Sequence, residues 1–249
     1  MENQNSPVKV MFAVPNEGHT SPAAYDNRME MCFRMGTLQA LSRTGQTEFD
    51  DVHFDYPMGR QFKFYNATIG RVFTALARER LAEQAVESGM DYLFMVDDDM
   101  IVPSDLFERL YRHNVDLVAP LAFTRYEPYK PVLYRLRAGY DSAERKDYYI
   151  NYAVLDYPKN SLVKCDAVGF GAVLIKTSVL KALKKPWFMT TSGAGEDIHF
   201  CHSAGRAGFG IYSDTSTKLG HLGDPKEITE ELYESPENER NLKETYNVA

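Results

Sequence analysis

Three consecutive aspartates, Asp97, Asp98 and Asp99, close the apolar run YLFMV at residues 92–96. Carboxylates this close repel one another and shift each other's pKa. Such a cluster persists where water solvates it at a loop tip, or where a cation holds it. Carboxylate oxygens are hard ligands that suit Mg²⁺, Mn²⁺ or Ca²⁺. In an extended segment Asp97 and Asp99 project to the same side, and Asp98 points elsewhere. A divalent ion on the pair could hold a diphosphate and neutralise a leaving group as charge builds on it. The structural alternative is a solvated strand end that leads into a helix N-cap.

Other residues of chemical interest lie on either side. Arg71 and Arg78 are seven apart and are expected on one face of a helix that feeds the aspartate strand. An arginine fork grips phosphate through two bonds; the alternative is a solvated pair with Glu79 or Glu83. Glu196 and Asp197 follow a Gly-rich loop at an expected helix start. The helix dipole favours acidic residues there, and the functional reading is a general base or an acceptor-binding carboxylate. His199 and His202 are helix neighbours without the further ligands a zinc site needs. His221 stands alone in LGHLG, and a neutral imidazole can ligate a metal. Trp187, the one tryptophan, packs a core or offers a platform to a sugar face. The stretch TRYEPYKPVLYRLRAGY interleaves Arg125, Lys130, Arg135 and Arg137 with Tyr126, Tyr129, Tyr134 and Tyr140. It reads as the half-exposed face of an antiparallel sheet, or as a surface for a polyanion.

The elements that position these groups alternate. VKVMFAV at 8–14 is a buried first strand and 23–41 a helix, then DVHFDYP a second strand. Residues 70–88, rich in Ala, Leu, Arg, Glu and Gln and followed by Gly89, form a helix. DYLFMV is the central strand, PSDLFERLYRH a helix and DLVAPLAF a strand. This order predicts a mostly parallel sheet covered on both faces, with ligands outside the carboxyl ends of its strands. Residues 124–165 form an antiparallel excursion. After it come a strand and helix in CDAVGFGAVLIKTSVLKAL, a short helix from GEDIHF, a strand in FGIYSD and a loop in TKLGHLG.

The 249 residues carry a net charge of −7. From Asp224 onward eight acidic residues face three basic ones, so that stretch reads as an acidic surface helix or a partly disordered tail. The global charge argues against non-specific nucleic-acid binding. With an apolar share of 44%, a sizeable core is expected. No apolar run is long enough to span a bilayer. The N-terminus lacks the features of a signal peptide, so a cytoplasmic location is expected. Cys32, Cys165 and Cys201 show no paired spacing and are expected as free thiols. The sequon at Asn66-Ala67-Thr68 is then inert.

Taken in order from Val8 to Gly223, these pieces resemble the GT-A-fold glycosyltransferases, enzymes that move a sugar from a nucleotide donor. VKVMFAVPNEG looks like the family's first strand and nucleotide-contacting loop. LARERLAEQAVESGMDYLFMVDDDMIVPSDLFERL is similar to the helix and strand that deliver its Asp-x-Asp motif. VGFGAVLIKTSVLKAL, PWF and GEDIHFCHSAGRAGFGIYSD are similar to its acceptor-side block, and KLGHLG to its late metal-binding histidine loop. The resemblance implies one Rossmann-like α/β domain over 1–223, with a donor half to about 120 and an acceptor half from 121. It implies donor contacts from Pro15, Asn16, Glu17, Arg71, Arg78, Asp97 and Asp98. It implies Mn²⁺ or Mg²⁺ on Asp97, Asp99 and His221, and Asp197 beside Glu196 as the base. Trp187, Gly195 and the turn Gly169-Phe170-Gly171 would shape the acceptor pocket. The donor would be a UDP- or GDP-linked hexose, and the acceptor a hydroxyl on a glycan, a small molecule or a nucleic acid. Where the family often has Asn after the arginine, Glu79 stands here.

Other classes fit less well. An EF-hand loop from Asp97 needs Gly at its sixth position, where Val102 stands. Phosphatases of the haloacid-dehalogenase type usually carry Asp-x-Asp near the N-terminus, with Thr or Val where Ile101 stands. A sugar-1-phosphate nucleotidyltransferase normally has a Gly-rich basic signature after its first strand, which VPNEGHTSP lacks. A non-catalytic carbohydrate- or nucleic-acid-binding protein would not need the aspartates, the acidic pair and the late histidine together.

Overall fold

The computed structural model describes residues 6–16, 21–54, 56, 59–141, 146–191, 194–223 and 227–246 of the chain, with backbone alone at 16, 137–141 and 146–150. The first half runs β1 (Val8–Asn16), α1 (Pro22–Leu41), β2 (Glu48–Phe49), β3 (Val52–His53), β4 (Phe62–Gly70), α2 (Thr74–Glu87), β5 (Tyr92–Val96), β6 (Met100–Ile101), α3 (Leu106–Tyr111) and β7 (Leu117–Leu121). The second half runs β8 (Leu133–Asp141), β9 (Lys146–Ala153), β10 (Leu162–Cys165), β11 (Ala167–Val168), β12 (Ala172–Lys176), α4 (Thr177–Ala182), α5 (Glu196–Arg206), β13 (Ile211–Lys218), β14 (Gly220–Leu222), β15 (Glu227–Ile228), α6 (Glu230–Tyr233) and α7 (Pro236–Tyr246).

Leu93, Phe94, Met95 and Val96 are fully buried, as a continuous apolar run requires when both faces of a sheet are covered. Their strand, β5, lies between β1, parallel to it, and β12, antiparallel. The whole sheet has seven strands in the order β10-β13-β7-β12-β5-β1-β4, and all but β12 and β10 run the same way. Side chains alternate across it. Leu93 and Met95 join Leu81, Ala82 and Ala85 of α2, Leu180 of α4 and Phe200 of α5 on one face. Phe94 and Val96 join Met31, Met35 and Leu38 of α1 and Phe107 of α3 on the other. The antiparallel excursion is the β8–β9 hairpin, extended by β11. The expected α/β class, the helix-flanked sheet and this excursion all stand.

Three local expectations fail, two of them in the first half of the chain. DVHF supplies only β3 of the short β2–β3 hairpin, and the second long strand of the sheet is β4, FKFYNATIG. Its alternation of exposed and covered residues suits an edge strand. Because β4 runs to Gly70, helix α2 opens at Thr74 rather than residue 70. Arg71 lies between them with a left-handed φ of 59°, exposed, and does not share a helix face with Arg78.

A small sheet, β15-β14-β6, stands beside the aspartates. His221 of β14 pairs with Met100 of β6, and the Leu222 N–H donates to the Asp99 carbonyl at 2.9 Å. LGHLG is therefore a strand rather than a loop. The described part of the acidic stretch, residues 227–246, packs on the body. Asn238 is buried and exchanges two hydrogen bonds with the Tyr129 backbone, at 2.8 and 2.9 Å. The Tyr157 hydroxyl donates to Glu230 at 2.9 Å.

Candidate functional site

Strand β5 ends at Val96, and the next backbone N–H, that of Asp97, donates to Gly171 O at 2.8 Å. The three aspartates emerge into a cleft of about 230 Å³, whose other walls include Pro15, Thr74, Arg125, Tyr126 and His221. The cleft lies outside the carboxyl ends of β1 and β5, where an open α/β sheet places its ligands.

Each aspartate meets a different arginine. Asp97 takes both its oxygens to Arg78 Nη2, at 2.8 and 2.7 Å. The other terminal nitrogen of Arg78, Nη1, bonds Glu196 Oε1, and Phe170 O accepts from Nη2 at 3.1 Å. Arg78 is 3% exposed and lies on the buried stripe of α2. It is neither a solvated partner of Glu79 or Glu83 nor a free fork for phosphate. Its two terminal nitrogens are spent on holding Asp97 and Glu196, and its Nε is buried without a hydrogen-bond partner among the described residues. Asp98 is 7% exposed, so solvent is not its environment. Arg28, on the buried stripe of α1, donates to the Asp98 carbonyl at 2.9 Å and couples to its charge. Asp99 pairs with Arg125 Nη2, and its Oδ2 lies 3.3 Å from His221 Nε2.

Burial raises the Asp97 carboxyl to about 6 against the pull of Arg78, and Glu196 and Asp197 push the same way. The Asp197 carboxyl is raised by burial first and by Glu196; Arg78 and the backbone N–H groups of Ile198 and Phe170 oppose that rise. Arg78, although buried, is held charged by Asp97, Glu196 and Asp197. His221 is pushed down by burial, with Arg125 adding to the effect, so the ring is neutral near pH 7. Its Nδ1 lies 2.9 Å from Phe123 O, which fixes the ring and leaves Nε2 facing Asp99.

The remaining expected residues divide. Gly195 precedes α5, and a Cβ there would sit 2.8 Å from Asp197 Oδ1, so glycine leaves that carboxylate its place. Gly169, Phe170 and Gly171 underlie the Asp97–Arg78 pair: two of their carbonyls hold it, and Phe170 is 1% exposed. Trp187 is core. Its N–H and that of Phe188 donate to Glu79 Oε2, at 2.8 and 2.9 Å, and its indole donates to Leu183 O. That burial rules out a sugar platform and gives Glu79 a structural task. Pro15 lines the cleft, the Asn16 side chain and Glu17 lie outside the described residues, and Arg71 is not among the cleft's walls. His202 bonds Asn151 Oδ1 at 2.9 Å. The basic, tyrosine-rich stretch is not one surface: Arg125 enters the cleft and Tyr129 is buried, while the side chains of Arg137 and Tyr140 lie outside the described residues.

Sequence reasoning missed Arg125 and Tyr126 as cleft residues and Arg28 as the partner of Asp98. Arg28 had a signal, a charge among Ala24, Met31, Met35 and Leu38 on one helix stripe. The donor set fits a hard divalent ion in part. Asp99 and His221 offer an oxygen and a nitrogen together, but among the described residues no three His, Cys, Asp or Glu side chains gather as a metal cluster. Mg²⁺-type ions are often held by one or two carboxylates completed by substrate phosphates, and the pair suits that mode. Cys32, Cys165 and Cys201 are free, and no helix among the described residues is long and apolar enough to cross a membrane.

No protein-family model matches the chain, and no curated protein matches it in sequence. Among solved structures it is similar to A197 from STIV, at 17% identity and a TM-score of 0.49, over 89% of this chain and 93% of that one. Apo UDP-glucose pyrophosphorylase aligns at 9% identity and a TM-score of 0.48, over 96% and 99%. GalNAc-T7 with UDP, GalNAc and Mn²⁺ aligns at 13% and 0.46, over 89% of this chain and 44% of that enzyme. Likenesses at these values carry nothing about chemistry.

Proposed function

We propose that the chain is a glycosyltransferase that moves a hexosyl group from a UDP- or GDP-linked donor to an acceptor hydroxyl, with Mn²⁺ or Mg²⁺ bound. The observation that carries this reading is the meeting of Asp99 and His221 beyond the carboxyl end of β5, 122 residues apart in sequence and 3.3 Å apart in space. Charge supports it. Five carboxylates (Asp97, Asp98, Asp99, Glu196, Asp197) share three guanidiniums (Arg28, Arg78, Arg125), an excess of two formal negative charges. Asp99 and His221 would hold the ion, with Asp97 as the outer member of the set. When bound, it would offset charge on the departing diphosphate.

The chain's own groups do the rest. Arg78 fixes Asp97 and Glu196 in one arrangement before substrate arrives, the kind of preorganisation that dominates electrostatic catalysis. Asp197, raised toward working pH, takes the proton from the acceptor hydroxyl as it attacks the anomeric carbon with inversion. Residues 1–120 serve the donor and 121–223 the acceptor, with Gly195 leaving room for the base.

The deciding experiment is a thermal-shift screen of UDP- and GDP-sugars with and without Mn²⁺, in wild type and Asp99→Asn. A metal-dependent stabilisation by one donor class is expected, at least about 2.7 kcal/mol at a hundredfold excess over Kd. It should vanish in Asp99→Asn. Stabilisation by no nucleotide sugar, or an equal one in the variant, would sink the reading.

A further inference from the structure

We propose that Arg125 is a built-in cation that holds Asp99 and His221 until a divalent metal displaces it. The proposal rests on the metal-dependent reading of the cleft given above. His221 Nδ1 lies 2.9 Å from Phe123 O, a carbonyl that can only accept, so the ring proton sits on Nδ1. Arg125 Nε, which can only donate, faces Nε2 at 3.4 Å, so that nitrogen carries a lone pair, and Asp99 Oδ2, a second acceptor, lies 3.3 Å away. Two acceptors facing each other that closely call for a positive charge between them. Arg125 supplies it: its Nη2 pairs with Asp99 Oδ2, and its Nε donates to His221 Nε2 at 3.4 Å. One carboxylate oxygen and one imidazole nitrogen thus share a guanidinium, and they are the same donors a Mn²⁺ would take.

The three arginines differ in their freedom to leave. Arg28 and Arg78 are 8% and 3% exposed, packed in helices beneath the cleft. The Arg125 side chain is 38% exposed and comes from the connection between β7 and β8. A metal on Asp99 and His221 would meet the guanidinium at contact range, where like charges repel. Seat and guanidinium therefore exclude each other.

The test is direct binding of Mn²⁺ without nucleotide, by calorimetry and by the spin-resonance signal of free Mn²⁺, in wild type, Arg125→Gln, Arg125→Ala and Arg125→Lys. Circular dichroism checks that each variant is folded. Removing the charge is expected to tighten Mn²⁺ binding by about tenfold or more. Arg125→Lys, which keeps it, should stay near wild type, and adding Asp99→Asn to Arg125→Gln should abolish the gain. Binding by Arg125→Gln alone, with none by wild type, also supports the proposal. Equal or weaker binding by the uncharged variants overturns it while leaving the metal reading intact. No binding by any variant overturns both.

Discussion

Asp197 follows Glu196, and Glu196 shares the Arg78 guanidinium with Asp97. One positive charge thus serves three carboxylates in a covered place. Burial, and then Glu196, raises the Asp197 carboxyl above its usual range while Arg78 pulls it back. A base must be ionised to accept a proton, so transfer is lost as pH falls through that raised pKa. The acid limb of kcat/KM for the proposed reaction should therefore lie above the ordinary aspartate value of about 4. Asp197→Asn keeps the shape and removes the base. It is expected to lower kcat by about a hundredfold or more, with donor affinity little changed. Initial rates across pH, with donor binding measured separately, check both. An unchanged kcat would take Asp197 out of the role.

The N-terminus of α5 sets that carboxylate by what is missing before it. Gly195 has φ −64° and ψ 168°, a conformation open to any residue, so backbone freedom is not the reason for glycine. The reason is space, since a Cβ would come within 2.8 Å of Asp197 Oδ1. Gly195→Ala should displace the carboxylate and lower kcat by about tenfold, as misplaced reacting groups do. The exchange should cost no more than about 1 kcal/mol of stability. Wild-type kcat in Gly195→Ala would show that the carboxylate has room to spare. Elements of this kind were partly legible in the sequence. Apolar runs marked β1, β5 and β7, and composition marked α2, because burial on both sheet faces leaves no polar positions to confuse the pattern. Strand β4 was missed because an edge strand alternates and reads as mixed. The seven-residue spacing points Arg71 to a helix that begins only at Thr74. The arginine partners were harder to read, since a pairing such as Arg78 with Glu196 spans 118 residues and only the sheet order creates it. What the sequence did carry was a charge on an apolar stripe, at Arg28 and at Arg78.

The last strand and helices tie the molecule together around the cleft. Ile228 and Leu242 are buried, β15 extends the small sheet that bears His221, and Asn238 clasps both backbone groups of Tyr129. Tyr129 lies four residues from Arg125, and neighbouring Lys130 reaches the Tyr246 hydroxyl at 2.9 Å. The acidic segment therefore braces the very connection that carries Arg125. Most of its charge stays outward, while Glu230, held by Tyr157 and Lys218, and its few other buried groups do the holding. Asn238→Ala would strip a buried N–H and a buried C=O of their side-chain partner. Leaving such groups unsatisfied costs about 1–3 kcal/mol each, so a loss of about 2 kcal/mol or more is expected by urea unfolding. Because Arg125 sits on the same connection, the variant should also change Mn²⁺ affinity, whereas Glu244→Gln on the same helix should change neither. If Asn238→Ala unfolds like wild type, the segment is an appendage and the brace is elsewhere. If it loses stability but binds Mn²⁺ as before, the connection holds Arg125 in place without it.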